Sequence, residues 1–192
     1  MGTDHASDEA LLRRAGEGDC HAFEALVRRH GGSLRRFAAG LVGNGEADDA
    51  LQQGLVAAYR GAASFRGQAR ARTWLFTVVR NAALRHRRRE ARHAHDEEPD
   101  EDALLPLGLA AGWGADPEKL AVRAQVRARL ERALASLAET DREVLMLRDV
   151  EGLAGPEAAA VLGLELPALK SRLHRARLRL AGALRAEEDD DA

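Results

Sequence analysis

The stretch from Leu153 to Arg179 constrains this chain more than any other. Before Gly163, Ala158, Ala159 and Leu162 recur at helical spacing; after it, Leu169, Leu173, Ala176 and Leu180 do the same. Two short amphipathic helices joined by a Gly-containing turn form a helix-turn-helix pattern. The second helix carries Lys170, Arg172, Arg175, Arg177 and Arg179 and, over that span, no acidic residue. A helix so charged fits a major groove, with phosphates on either side to reward the array. A helical hairpin with a solvated basic face shows the same pattern, so the rest of the chain must decide.

The remaining sequence reads as helix throughout, with no stretch of period-two alternation. Ser7 is placed to cap a first helix that opens with Asp8 and Glu9. Asp19 caps a second, with Ala22, Phe23, Leu26 and Val27 inward, and Gly31-Gly32 is expected to break it. Leu34, Phe37, Ala38 and Leu41 make a third stripe, ended by a turn at Gly43-Asn44-Gly45. A long helix from about Glu46 to Arg60 follows, then a loop at Phe65-Arg66-Gly67. A further helix from about Thr73 buries Trp74, Leu75, Val78, Val79 and Ala82. Beyond Pro117, Val122, Val126, Leu130 and Leu134 form another stripe, and Thr140-Asp141-Arg142-Glu143 is expected to act as a capping box.

Charge divides the chain where the helical pattern lapses. Residues 1–95 hold 16 Arg against 10 acids, and residues 121–186 hold 12 basic residues against eight acids. Between them, residues 96–120 hold one Lys and eight acids, and the last six residues carry five acids. The overall net charge of −2 conceals two basic blocks. Pro99, Pro106, Gly108, Gly112, Gly114 and Pro117 mark residues 96–118 as a linker. Leu104, Leu105, Leu107, Leu109 and Trp113 within it are expected to dock on an apolar surface. The two acidic segments are expected to compete with phosphate for the basic surfaces of the free chain. Cys20 is the only cysteine, which excludes an internal disulfide and a thiolate metal cage; it is expected as a buried small residue. No apolar run approaches membrane-spanning length and no basic segment followed by an apolar one opens the chain, so a cytoplasmic location is expected.

In order along the chain stand Ala47-Asp48-Asp49-Ala50-Leu51-Gln52-Gln53, Tyr59-Arg60, Phe65-Arg66-Gly67-Gln68-Ala69, Thr73-Trp74-Leu75 and Arg80-Asn81. Then come Arg142-Glu143-Val144-Leu145, Leu147-Arg148-Asp149, Glu151-Gly152-Leu153, Leu162-Gly163 and Lys170-Ser171-Arg172-Leu173-His174-Arg175-Ala176-Arg177. In these blocks, across nearly its whole length, the chain resembles the bacterial sigma factors of the extracytoplasmic-function group. The resemblance implies an all-α fold of two small helical domains: a region 2 bundle over 1–95 and a region 4 helix-turn-helix bundle over 119–186. A flexible acidic linker over 96–118 joins them and an acidic tail over 187–192 closes the chain.

The resemblance also assigns roles. Asp48, Asp49, Gln52 and Gln53 would meet the clamp helices of the largest subunit of core RNA polymerase. Phe65 and Asn81 would cradle a base flipped from the −10 element, by ring stacking and an amide at the base edge. Arg66, Arg80, Arg85 and Arg88 belong to the same surface, with the arginine series holding phosphates. Lys170, Ser171, His174 and Arg175 would read the −35 element, and Arg172, Arg177 and Arg179 would hold its phosphates. Gln53 stands where the family usually has an acid, and Leu55 where it has an aromatic, implying a weaker or differently balanced polymerase interface. Ala154 replaces a Ser or Thr cap and Ala168 a common Thr, so the first helix of the motif is expected to be weakly capped, with Pro156 tolerated in its first turn. An anti-sigma factor is a typical partner of such a protein.

The implied function is a sigma factor directing promoter recognition and initial melting, with no catalysis, cofactor, metal or membrane insertion of its own. One alternative is a stand-alone helix-turn-helix regulator, which would leave the N-terminal blocks idle. Another is a small metal-dependent helical enzyme using His86, His93 and His95, which fall in a frayed, Arg-rich helix end with no cysteine.

Overall fold

The computed structural model describes residues 6–93 and 117–190. Helix α1 (Asp8–Gly16) opens as its sequence dictates: the Ser7 hydroxyl accepts the Ala10 N–H at 3.2 Å, and Leu11, Leu12 and Ala15 turn inward. Asp19 caps the next helix by accepting from Ala22 N–H at 3.1 Å, and also holds Arg14 at 2.6 Å. Cys20, first residue of α2, is exposed rather than buried, because the inward positions of that turn fall on Ala22 and Ala25.

Gly31-Gly32 does not break the chain. Helix α2 runs unbroken from Cys20 to Val42. The two glycines forgo about 1 kcal/mol each of helix propensity. Leu26, Leu34 and Phe37, buried on either side of them, each contribute about 1.5–3 kcal/mol by leaving water, and the burial wins. The true break is Gly43, whose φ of 94° no side-chain-bearing residue adopts easily. Helix α3 (Asn44–Gly61) and α4 (Ala71–His93) then complete the first bundle. They cross so closely at Gly54 that a Cβ there would lie 2.9 Å from Val79 Cγ2 and 3.1 Å from its Cα. Phe37 and Phe76 meet edge to face at 5.3 Å in the centre of this bundle.

The C-terminal bundle comprises α5 (Pro117–Ala135), α6 (Glu139–Leu145), α7 (Gly155–Leu162) and α8 (Leu166–Asp190). Helix α6 continues into a π-helical segment, Met146–Val150. The expected capping box is absent. Helix α6 starts one residue before Thr140, its cap is Ala138, and Glu143 is turned away to an arginine of α4. The stripe on α5 is also only partly inward: Leu134 is buried, but Val126 and Leu130 are 60% and 38% exposed. Helix α7 is capped from one side only. Ala154 has no acceptor to offer, while the Glu157 carboxylate accepts the Ala154 N–H at 2.7 Å. Gly163, at φ 64°, makes the left-handed turn into α8. The described residues contain no strand.

The two bundles are packed together. Phe37, Leu41 and Val79 of the first belong to one apolar core with Val144, Met146, Leu153 and Ala158 of the second. Helix α2 faces α6, and α4 faces α7. Gly40 makes room for Met146, whose Cγ would lie 3.0 Å from a Cβ at that position. The acidic and apolar linker residues Asp96 to Trp113 lie outside the described residues.

Candidate nucleic-acid interface

Burial fixes the orientation of α8. Leu169, Leu173 and Ala176 are buried against the C-terminal bundle. Lys170, Ser171, His174 and Arg175 therefore face solvent, and Arg172 is half-buried at the edge. These exposed donors, spread over fewer than two helical turns, thus lie at the N-terminal half of the second helix of the motif, the part that reaches base edges in a helix-turn-helix. The flanking cations differ. Arg177 forms a two-pronged pair with Asp149, at 2.9 and 2.6 Å. That pairing holds the Arg177 guanidinium above its usual range. Arg179 is ion-paired with the buried Asp141. Both remain more than half exposed at the side chain, so each is anchored at one side and open at the other.

On the N-terminal bundle, Arg66, Asn81, Arg85 and Arg88 are exposed. Asn81, Arg85 and Arg88 lie along one side of α4 at spacings of four and three. Phe65 is half-buried, its ring set edge to face on Trp74 at 5.8 Å. Trp74 itself is half-buried and closes the apolar seam beneath the loop, as its spacing with Leu75 and Val78 predicts. Arg80 does not stand with the others. Both its Nε and Nη2 donate at 2.9 Å to the Glu143 carboxylate of α6, and only 19% of its side chain is exposed.

The polar face of α3 is the third surface. Asp48, Asp49 and Gln52 are exposed and Gln53 is half-buried. Asp49, Gln52, Gln53, Val56, Ala57 and Arg60 line a shallow groove of about 360 Å³. Asp48 is held by Arg35 at 2.8 and 2.9 Å, which keeps its carboxyl below the usual range. Gln53 is held from behind by His86, whose ring nitrogen Nδ1 lies 3.1 Å from its amide. His86 is not on a frayed end: it is 2% exposed and its Nε2 meets Glu46 at 2.6 Å. Sequence reasoning placed it with His93 and His95 and missed this role. The signal was available in its spacing, three residues on from the buried Ala83. Among the described residues, no group of three His, Cys, Asp or Glu side chains is arranged to hold a metal ion; His95 lies outside them.

One exposed basic recognition helix, a second basic helix beside a loop with a half-buried Phe65, and a groove of mixed polar and apolar lining on α3 are the features of a DNA-binding factor. Comparison with known proteins makes this specific. Residues 26–93 match the family model for sigma-70 region 2, and residues 127–180 match that for sigma-70 region 4. The chain is 36% identical over 194 residues to the RNA polymerase sigma factor NccH of Alcaligenes xylosoxydans xylosoxydans, covering 97% of this chain and 99% of that one. It is 29% identical over 179 residues to the ECF RNA polymerase sigma-E factor of Escherichia coli (strain K12), covering 91% and 93%. Among solved structures it resembles CnrH in complex with the cytosolic domain of CnrY, with a TM-score of 0.67 and 29% identity over 94% of this chain and 99% of that one. It also resembles the sigma factor RpoE in complex with the anti-sigma factor NepR from Bartonella quintana, with a TM-score of 0.68 and 28% identity over 85% and 96%.

The chain belongs to the sigma-70 family of RNA polymerase sigma factors, within the extracytoplasmic-function group. It binds core RNA polymerase and directs promoter recognition. Factors of this family are not enzymes. No helix of the described residues is long and apolar enough to cross a membrane.

Proposed function

We propose a division of labour among the three surfaces. Asp48, Asp49, Gln52 and Gln53 meet the clamp helices of the polymerase largest subunit. Phe65, Arg66, Arg80, Asn81, Arg85 and Arg88 serve the −10 element. Lys170, Ser171, His174 and Arg175 read the −35 element, with Arg172, Arg177 and Arg179 on its phosphates. In domain terms, 1–95 is region 2, 96–118 the linker, 119–186 region 4 and 187–192 the tail. The observation that carries this reading is the orientation of α8: its apolar stripe is buried while Lys170, Ser171, His174 and Arg175 are all exposed. The groove on α3 supports the polymerase face, since the stand-alone regulator gives that groove no task.

Phe65 serves both sides of the loop: one edge packs on Trp74, and the exposed remainder is available to a base. The similarity to sigma factors solved with CnrY and with the anti-sigma factor NepR supports an anti-sigma partner for this chain too, and a cytoplasmic site of action. The test of the polymerase face is Asp49→Lys. Asp49 is exposed, so folding should change by no more than about 0.5 kcal/mol. Affinity for core polymerase should fall by about 1–3 kcal/mol through loss of a charge-assisted contact. Undiminished co-purification with core enzyme would remove α3 from the interface.

A further inference from the structure

Five arginines of the N-terminal half reach across to acceptors of the C-terminal bundle. Arg36 of α2 reaches Glu151 with two bonds, at 3.0 and 3.1 Å. Arg80 of α4 reaches Glu143 with two bonds at 2.9 Å. Arg87 meets Glu139 at 2.6 Å and Arg70 meets Glu157 at 3.5 Å. Arg72 donates to the Glu151 backbone oxygen at 2.6 Å and lies over the Phe76 ring. Each arginine belongs to the N-terminal bundle and each acceptor to the C-terminal one. The carboxylates of Glu143 and Glu151 are almost wholly buried by this contact, 2% and 1% exposed at the side chain.

A row of carboxylates facing a row of arginines is what a phosphate backbone would present to the same surface. Arg80 is the telling member. It lies one residue before Asn81, on the helix whose exposed side carries Arg85 and Arg88, and it gives both prongs to Glu143. It cannot hold a phosphate at the same time. Met146 seated against Gly40 adds an apolar fastening beside the charged one.

We propose that the C-terminal bundle acts as an internal DNA mimic. Glu139, Glu143, Glu151 and Glu157 latch it onto the N-terminal bundle and withhold Arg80 from DNA until the two bundles separate. This rests on the assignment of Arg80 to the −10 surface. Free chain is then a closed form, and its DNA affinity is reduced by the fraction of open form present. Polymerase, which must engage the two bundles at separated sites to reach two promoter elements, draws the latch apart. The device is carried by folded residues, in addition to any competition from the acidic linker.

The test uses the full chain and its single cysteine. Labels on exposed Cys20 and on Leu178→Cys, an exposed α8 position, report the separation of the bundles. Three forms are compared with the parent: Glu143→Gln, Arg36→Glu, and the charge swap Arg36→Glu with Glu151→Arg. None of these residues is assigned to DNA or polymerase. The parent should give one narrow distance distribution at low salt. Glu143→Gln and Arg36→Glu should broaden it to longer distances, and the swap should restore it. Affinity of the free protein for a short single-stranded oligonucleotide should rise about tenfold in the opened variants and return in the swap. Should Glu143→Gln fail to fold, Arg36→Glu and its rescue decide the matter. An unchanged distance distribution in Arg36→Glu, or opening without tighter DNA binding, overturns the latch. Polymerase-dependent run-off transcription by the parent is measured alongside. Its absence would refute the promoter assignment, whereas the distance measurement judges the latch independently.

Discussion

The crossing of α3 and α4 sets the angle between the faces we propose for polymerase and for the −10 element, and it hangs on one hydrogen atom at Gly54. Replacing Gly54 with Ala should destabilise the N-terminal bundle. The added Cβ meets Val79 Cγ2 at 2.9 Å and Val79 Cα at 3.1 Å. The first contact could be relieved by a rotamer change; the second is backbone and moves only with the helix. Overpacking of this kind costs about 1–3 kcal/mol. Against it stands the gain in helix propensity of Ala over Gly, about 1 kcal/mol. The net should be a loss of up to about 2 kcal/mol. Gly31→Ala is the matched control. It also lies within a helix, but its Cβ would meet only Val27 Cγ1, at an ordinary 3.6 Å. It should stabilise by about 0.5–1 kcal/mol. Urea unfolding followed by circular dichroism, with slopes compared to confirm that the unfolding reaction is the same, gives both values. Two substitutions identical in chemistry should thus move the midpoint in opposite directions. If Gly54→Ala is as stable as Gly31→Ala, α3 and α4 are not as close as described, and the relative placement of the two faces falls with them.

Arg175→Ala should relax discrimination at one or two −35 positions at a cost of about 1–3 kcal/mol for a lost base-edge contact, read from competition among promoter variants. Arg177→Ala should weaken all promoters alike and also free Asp149; equal, uniform losses from both would place Arg175 among the phosphate contacts. Asp8 carries an acid-stability prediction. Burial raises its pKa, but Arg29 and His30 together outweigh burial and hold the carboxyl below its ordinary value. The stability it lends is therefore present above the unfolded value of about 4 and lost as pH falls through the lower folded one. Asp8→Asn should consequently bring the stability of parent and variant together in acid, while separating them near neutrality, as measured by thermal unfolding across pH.

The helices and their inward faces were legible because period and caps act locally. Ser7 and Asp19 cap as their positions predict, and Leu169, Leu173 and Ala176 are buried together. Gly31-Gly32 misled because glycine breaks a helix only where no burial on either side opposes it. Thr140 to Glu143 misled for a different reason. A capping box requires a carboxylate with nothing better to bind, and Glu143 finds Arg80, 63 residues earlier. Pairs of that separation, or the 115 residues between Arg36 and Glu151, leave no trace in any periodicity. The charge count even hid them, since the acids of residues 121–186 were outnumbered by arginines that face elsewhere. The polar face of α3 was readable as a set of residues. Its support by His86 was not, because a histidine among arginines reads as solvated until the fold buries it.

The most direct test is transcription itself. Purified chain is added to core RNA polymerase from its own source organism, and run-off products are mapped on a library of genomic fragments. Discrete transcripts should appear only when both are present, sharing two upstream motifs at the spacing of a −10 and a −35 element. Arg175→Ala should alter the upstream motif and leave the other unchanged. Core polymerase that yields the same products with and without the chain, or a chain that protects a symmetric operator without polymerase, would contradict the account.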